Sequence, residues 1–244
     1  MRILIVNPNT TAAMTDKIGH AARAVAASGT EIVAVNPADG PVSIEGYYDE
    51  VFSVPGLLAE ISKGETLGVS AHIIACFDDT GLEAARSLAS SPVIGIGEAA
   101  FHLASMLSHR FAVVTTLSRS IAAIENNLLK YGLAGRCAKV RACDVPVLAL
   151  DDPGSNASAQ ISAEIERAKM DDAAEAIVLG CAGMADLAAR LSEKHGLPVV
   201  DGVASAVKLA EALGTLGLRT SKTGAYANPR PKPYRGCFAP FAPR

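Results

Sequence analysis

Short runs rich in Ile and Val alternate with Ala- and Leu-rich stretches along the whole chain. The apolar runs read as strands at Arg2–Val6, Glu31–Val35, His72–Cys76, Val93–Ile96, Phe111–Thr115, Ala138–Ala142, Ala176–Leu179 and Pro198–Val200. Between and after them, helices are predicted at Thr11–Ala27, Val54–Lys63, Leu82–Ala89, Ala99–Leu107, Ile121–Tyr131, Asn156–Lys169, Ala185–Lys194 and Val203–Leu213. Strands separated by helices pair in parallel through right-handed crossovers. Strands buried on both faces need nearly continuous apolar sequence. A chain that is 50% hydrophobic and only 5% aromatic supplies it in aliphatic form.

The alternation occurs twice. In each half the first strand ends in a polar turn, NPNTT or TTLSRS, and the third ends at a cysteine, Cys76 or Cys181. A proline, Pro92 or Pro198, precedes the fourth strand in each half. The predicted fold is therefore α/β, with two pseudo-symmetric Rossmann-like lobes on parallel four-stranded sheets and a cleft between them. The expected division is 1–97 plus 207–244 for the first lobe and 98–206 for the second, with the last helix returning to the first lobe. The Pro-rich tail after Thr220 is expected to run extended, over the surface or onto a neighbouring subunit.

Composition excludes several classes. The formal net charge is −3 with no dense basic run, which argues against nucleic acid or anionic membrane as partner. No apolar segment approaches the roughly 18 residues of a membrane span, and the start MRILIVNPNT lacks the layout of a signal peptide. A cytoplasmic location is the expectation. The 5 cysteines are widely spaced and odd in number, and no Cys-x-x-Cys occurs, so neither a disulfide framework nor a structural zinc site is expected. Gly95-Ile96-Gly97 is too short for a dinucleotide fingerprint and follows a fourth strand. No metal and no cofactor is expected.

Ligands of open parallel sheets bind beyond the carboxyl ends of the strands. The residues there are Asn7, Pro8, Asn9 and Thr10; Cys76, Phe77 and Asp78; Thr115 and Thr116; and Gly180, Cys181, Ala182 and Gly183. Two thiols at equivalent strand ends would face each other across the cleft. One can then take a proton from a carbon next to a carbonyl while the other delivers a proton to the opposite face. Each cysteine is expected at a helix N-terminus, which favours the thiolate. The small neighbours Gly180, Ala182 and Gly183 leave room for substrate. NPNTT and Thr115-Thr116 read equally as helix caps or as donors to substrate.

The segments MRILIVNPNTT, ACFDDTGLEAAR, VLGCAGM and TSKTGAYANPRPKPY together resemble the aspartate/glutamate racemase superfamily, and within it the hydantoin racemase group. The resemblance spans nearly the whole chain. It implies cofactor-independent racemisation of 5-monosubstituted hydantoins, with Cys76 and Cys181 as the two catalytic thiols. Asn9, Thr115, Thr116 and Gly183 match cleft positions that bind ring heteroatoms, with Thr10 beside them. Ile44 and Phe77 are expected to meet the 5-substituent. Amino-acid racemases of the superfamily carry Asn-Thr after the first cysteine and Thr-His after the second. Here Phe77-Asp78 and Ala182-Gly183 stand there, which suits a neutral ring rather than a charged amino acid. The partner is thus a small-molecule hydantoin, and a homo-oligomer, a tetramer or larger, is implied.

Allantoin is itself a 5-substituted hydantoin, so allantoin racemisation by the same chemistry is the near alternative. Maleate isomerase and arylmalonate decarboxylase are more distant, and the decarboxylase needs only one thiol. A non-catalytic two-lobed binding protein of the periplasmic type would need an export signal and has no use for symmetric thiols.

Overall fold

The computed structural model describes residues 1–151 and 154–243. The pair 152–153 of the second lobe and the last residue of the tail lie outside them. The strands are β1 (Arg2–Val6), β2 (Glu31–Val35), β3 (Ala71–Ile74), β4 (Val93–Gly95), β5 (Phe111–Thr115), β6 (Cys137–Ala142), β7 (Ala176–Gly180) and β8 (Val199–Val200). They form two 4-stranded sheets, ordered β2-β1-β3-β4 and β6-β5-β7-β8, with every pairing parallel. The order is the same in both sheets, so the duplication read from the sequence is a duplication of topology.

The helices are α1 (Ala12–Val25), α2 (Tyr47–Thr66), α3 (Leu82–Leu88), α4 (Ile96–Leu107), α5 (Ile121–Lys130), α6 (Ala157–Asp172), α7 (Ala188–His195) and α8 (Gly202–Thr215). Most boundaries shift slightly from expectation, and three of the differences bear on the site. Helix α2 begins at Tyr47, before the predicted Val54, and carries Pro55 inside. Proline reads as a helix start because it lacks an N–H, and the exposed Tyr47, Tyr48, Val51 and Phe52 give the first turns no buried stripe to detect. Strand β3 stops at Ile74, so Cys76 lies two residues beyond the ladder. The stretch expected to open α7 is instead a 3₁₀ segment, Ala182–Leu187.

One core joins the sheets. Ile3, Ile5 and Ile73 of the first and Phe111, Val113 and Val178 of the second belong to the same buried cluster, bridged by α4 and α8. Phe101 of α4 is fully buried; its ring stacks on Phe111 at 6.1 Å and meets Phe77 edge-on at 5.3 Å. Burying such rings stabilises by a few kcal/mol each. The lobes therefore share a hydrophobic seam just below the strand ends.

Among the described residues, the tail's hydrogen bonds to the lobe lie at its start. Thr220 donates from its N–H to Ser90 O and from Oγ1 to Ser91 O. Lys222 Nζ donates to the carbonyls of Arg86 and Ser87 at the end of α3, and Tyr226 Oη donates to Glu83. Beyond Ala227 the chain is almost wholly exposed, with short 3₁₀ turns.

Candidate active site

A cleft opens where the carboxyl ends of the two sheets meet, about 430 Å³ including its mouth. Asn7, Pro8 and Asn9 line it from the turn after β1, and Ile44 from the loop after β2. Ala75, Cys76, Phe77 and Asp78 follow β3. The second lobe contributes Thr116 and Ser120 after β5, Val147 after β6, and Gly180, Cys181 and Ala182 at the end of β7. Equivalent strands of both sheets thus feed one site, and both thiols line it.

The two sulfurs differ in setting. Cys181 caps the 3₁₀ segment directly, and the Gly183 N–H near its sulfur favours the thiolate. Burial outweighs this and pushes its thiol up to about 12, with the Asp78 charge adding to the rise. Cys76 is not at a helix N-terminus. A four-residue turn separates it from Gly81, the N-cap of α3, so the helix dipole, which fades within a turn, gives it little. Its Sγ lies 3.4 Å from Thr80 Oγ1. Burial first, then Asp78, raises its thiol well above the ordinary value. Burial therefore raises both thiols in the open cleft, whereas the sequence predicts a helix-lowered pair.

Asp78 is itself raised to about 7, by burial and by the charges of Glu50 and Asp79. Glu50 Oε1 is buried without a hydrogen-bond partner among the described residues, and burial raises its carboxyl as well. Asp78 thus lines the cleft beside Cys76, and Glu50 lies near enough for its charge to act on both.

Several predicted residues serve the scaffold instead of facing the cleft. Thr115 is buried, and its Oγ1 donates to Gly180 O at 3.0 Å. A Cβ at Gly180 would come within 2.8 Å of the Thr115 Cβ, so the small residue is needed to let β5 and β7 finish side by side. Thr10 pins the loop after β2 by donating from its N–H and Oγ1 to Pro41 O. Gly183 sits one step behind the sulfur, against Leu150. Phe77 lines the cleft but is buried, with its ring packed edge-on against Phe101.

The turn after β1 is a closed network. Asn7 Nδ2 donates to Asn9 Oδ1 and Thr15 Oγ1, and Asn9 Oδ1 also accepts from the Thr11 N–H, opening α1. Among the described residues, Asn9 Nδ2 has only the Met14 sulfur, at 3.3 Å. A thioether is a weak acceptor, so this amide remains the donor available to a ligand. NPNTT thus braces the entry to α1 through Asn9 Oδ1, while Thr11, the N-cap, makes no side-chain cap bond.

Sequence reasoning passed over Met14, Ser120 and Val147, which reach the cleft from a helix face and from loops with no strand-end signal. It also gave no role to Gly95 and Gly97. A Cβ on Gly95 would meet Asp79 Oδ1 at 2.1 Å, and one on Gly97 would meet Phe77 O at 2.3 Å. These glycines let the Cys76 turn lie on the start of α4. There the Asp79 carboxylate accepts the Gly97 and Glu98 N–H groups at 2.9 and 2.8 Å.

The site is thus a cleft between two α/β lobes of one topology, with a thiol after the third strand of each sheet. The Asp/Glu/Hydantoin racemase family model matches residues 3–210. A hydantoin racemase of Rhizobium meliloti is 52% identical over 97% of this chain and 98% of its own. One from Pseudomonas sp. strain NS671 is 47% identical over 99% and 97%. Among solved structures, an allantoin racemase from Klebsiella pneumoniae superposes with a TM-score of 0.97 at 49% identity, covering 100% of both chains. The chain belongs to the Asp/Glu/Hydantoin racemase family, and it is an isomerase of the racemase type.

Proposed function

We propose that this racemase acts on 5-monosubstituted hydantoins, without a cofactor, by proton transfer between C5 and the two thiols. The carrying observation is that Cys76 and Cys181, from equivalent strand ends of two sheets, line one cleft. One cysteine, as thiolate, takes the C5 proton and becomes a thiol. The electron pair left behind spreads onto the adjacent ring carbonyl. The other thiol gives its proton to the opposite face of C5 and becomes the thiolate. The products are the mirror-image substrate and a site with the roles exchanged, ready for the reverse direction.

Asn9 Nδ2, Thr116 and main-chain N–H groups beside the thiols hold the ring heteroatoms in this reading, and Ile44 meets the 5-substituent. Desolvation that raises the thiols in the open cleft also strengthens any hydrogen bond to the enolate oxygen once substrate fills the site. The lobes divide at 97/98, inside the first turn of α4, with α8 completing the first. Ala27 N–H bonding to Glu211 Oε1 of α8 supports that assignment. We further infer a homo-oligomer, a tetramer or larger, in the cytoplasm. The exposed Tyr47, Tyr48, Val51 and Phe52 on α2 and the exposed tail fit subunit contacts, and free cysteines suit a reducing compartment.

The test is polarimetric decay of single enantiomers of 5-benzylhydantoin with the parent, Cys76→Ala and Cys181→Ala. Loss of racemisation in both variants is expected; full two-way racemisation after removing either thiol overturns the mechanism. Allantoin is the second reading, favoured by the Klebsiella pneumoniae likeness. Relative rates on allantoin and 5-benzylhydantoin distinguish the two.

A further inference from the structure

The turn that carries Cys76 is held from the opposite lobe. Helix α5, in the second lobe, presents Asn127 and, at its C-cap, Tyr131, four residues on and so on the same face. Asn127 Nδ2 donates to Asp78 O at 2.8 Å, and Tyr131 Oη donates to Asp79 Oδ2 at 2.8 Å. The same Asp79 carboxylate takes the first N–H groups of α4. Asp79 is buried and left-handed, with φ 51°, a conformation that few residues but Asn and Asp tolerate. Its N–H closes the turn onto Cys76 O at 3.0 Å. Every polar atom of Asp79 is thus engaged, and the clamp runs directly into the cysteine's own peptide. The Cys181 turn has separate supports: Thr115 Oγ1 on Gly180 O within its own lobe, and Lys17 of α1 paired with Asp186 at 3.2 Å from the first lobe.

We propose that Asn127 and Tyr131 are positioning residues for Cys76, setting its sulfur against Cys181 by holding the turn from across the lobe boundary. The inference rests on the two-thiol reading above. Neither residue lines the cleft, so neither needs to touch substrate. Tyr131 is well placed to remain a donor: burial, then the charge of Asp79, pushes its phenol far above the usual range. Releasing the clamp lets the Cys76 turn drift while Cys181 keeps its place. A displacement near 1 Å costs on the order of 10²-fold in rate.

Net rates alone do not report which thiol has moved. The two enantiomers have equal free energy, so kcat/KM is the same in both directions for any variant. Hydrogen exchange does report it. In D₂O, the enantiomer whose C5 proton faces Cys181 still loses that proton normally. With Cys76 misplaced, the intermediate is more often deuterated from the same face after the thiol exchanges with solvent. Deuterium then enters without inversion. The other enantiomer, which needs Cys76 for the first step, loses exchange and inversion together.

The experiment follows both processes, by NMR and circular dichroism, on each enantiomer of whichever substrate the parent racemises faster, allantoin or 5-benzylhydantoin. Parent, Tyr131→Phe and Asn127→Ala are compared after subtracting the enzyme-free rate. Inversion is expected to fall about 10-fold or more, with KM changed less than about 2-fold. The exchange-to-inversion ratio is expected to rise for one enantiomer only. Asn127→Ala removes one half-buried bond and carries the test if Tyr131→Phe does not fold. Ratios equal to the parent's for both enantiomers, or raised equally, overturn the inference alone. A parent whose Cys76→Ala variant still inverts substrate overturns the two-thiol reading and this inference with it.

Discussion

Gly97→Ala sets helix propensity against tertiary contact. Gly97 is the second residue of α4, and replacing a helical glycine by alanine ordinarily stabilises by up to about 1 kcal/mol. Here the new Cβ would lie 2.3 Å from Phe77 O and 2.9 Å from Asp79 Oδ2. The first contact is backbone, which no rotamer change relieves. Restoring an ordinary separation moves the Cys76 turn by about 1 Å, with an overpacking cost of about 1–3 kcal/mol. Weakening the bonds from the Gly97 and Glu98 N–H groups to Asp79 adds about 1 kcal/mol. Set against the helix gain of up to about 1 kcal/mol, the net is roughly 1–3 kcal/mol of destabilisation. At about 2–4 °C per kcal/mol for a chain of this size, Tm falls by about 2–12 °C. The same shift slows racemisation by on the order of 10²-fold. Calorimetry gives the first number, and polarimetry well below the transition gives the second. A variant with parent or higher Tm would refute the claim that this glycine is required by the turn lying upon it.

Asp78→Asn should move the rise of kcat/KM with pH to lower pH. Burial raises both thiols, the Asp78 charge raises them further, and an amide no longer opposes the thiolate; a pH profile over 6–10 with an unmoved limb refutes this. Phe101→Ala should cost about 3–5 kcal/mol, because the ring is fully buried between Phe77 and Phe111; a denaturant midpoint within 1 kcal/mol of the parent would show that the seam repacks. Thr115→Val leaves Gly180 O without its side-chain donor and should cost about 1–3 kcal/mol, with a matching fall in Tm. Ending the chain after Ala227 should change the Tm of the dissociated subunit by no more than about 2 °C, since the residues removed are exposed; a larger loss measured at high dilution counts against that account.

Much of the fold was legible because a strand covered on both faces must be written in apolar residues. Strands β1, β2 and β5 match their predicted bounds, and the doubled order of turn, cysteine and proline gave the two lobes. Legibility failed where local sequence carries no burial signal. The first turns of α2 expose their apolar residues, and Pro55 imitates a helix start. Met14 and Val147 reach the cleft through packing of distant segments.

The chain by itself determines that two parallel sheets form and that one thiol follows the third strand of each. It does so because strand and helix periods are local properties of side-chain pattern. Only the tertiary structure decides what surrounds those thiols. Burial raises Cys76 and Cys181, Asp78 charges both, and α5 grips the Cys76 turn from the other lobe. It likewise decides that Thr115 Oγ1 bonds to Gly180 O, that the Phe77 ring packs on Phe101, and that Asn9 Nδ2 meets the Met14 sulfur. Desolvation, Coulomb interaction and hydrogen bonding depend on which atoms meet, and residues about 50 positions apart, such as Asp79 and Tyr131, meet only once the lobes have closed on their shared core.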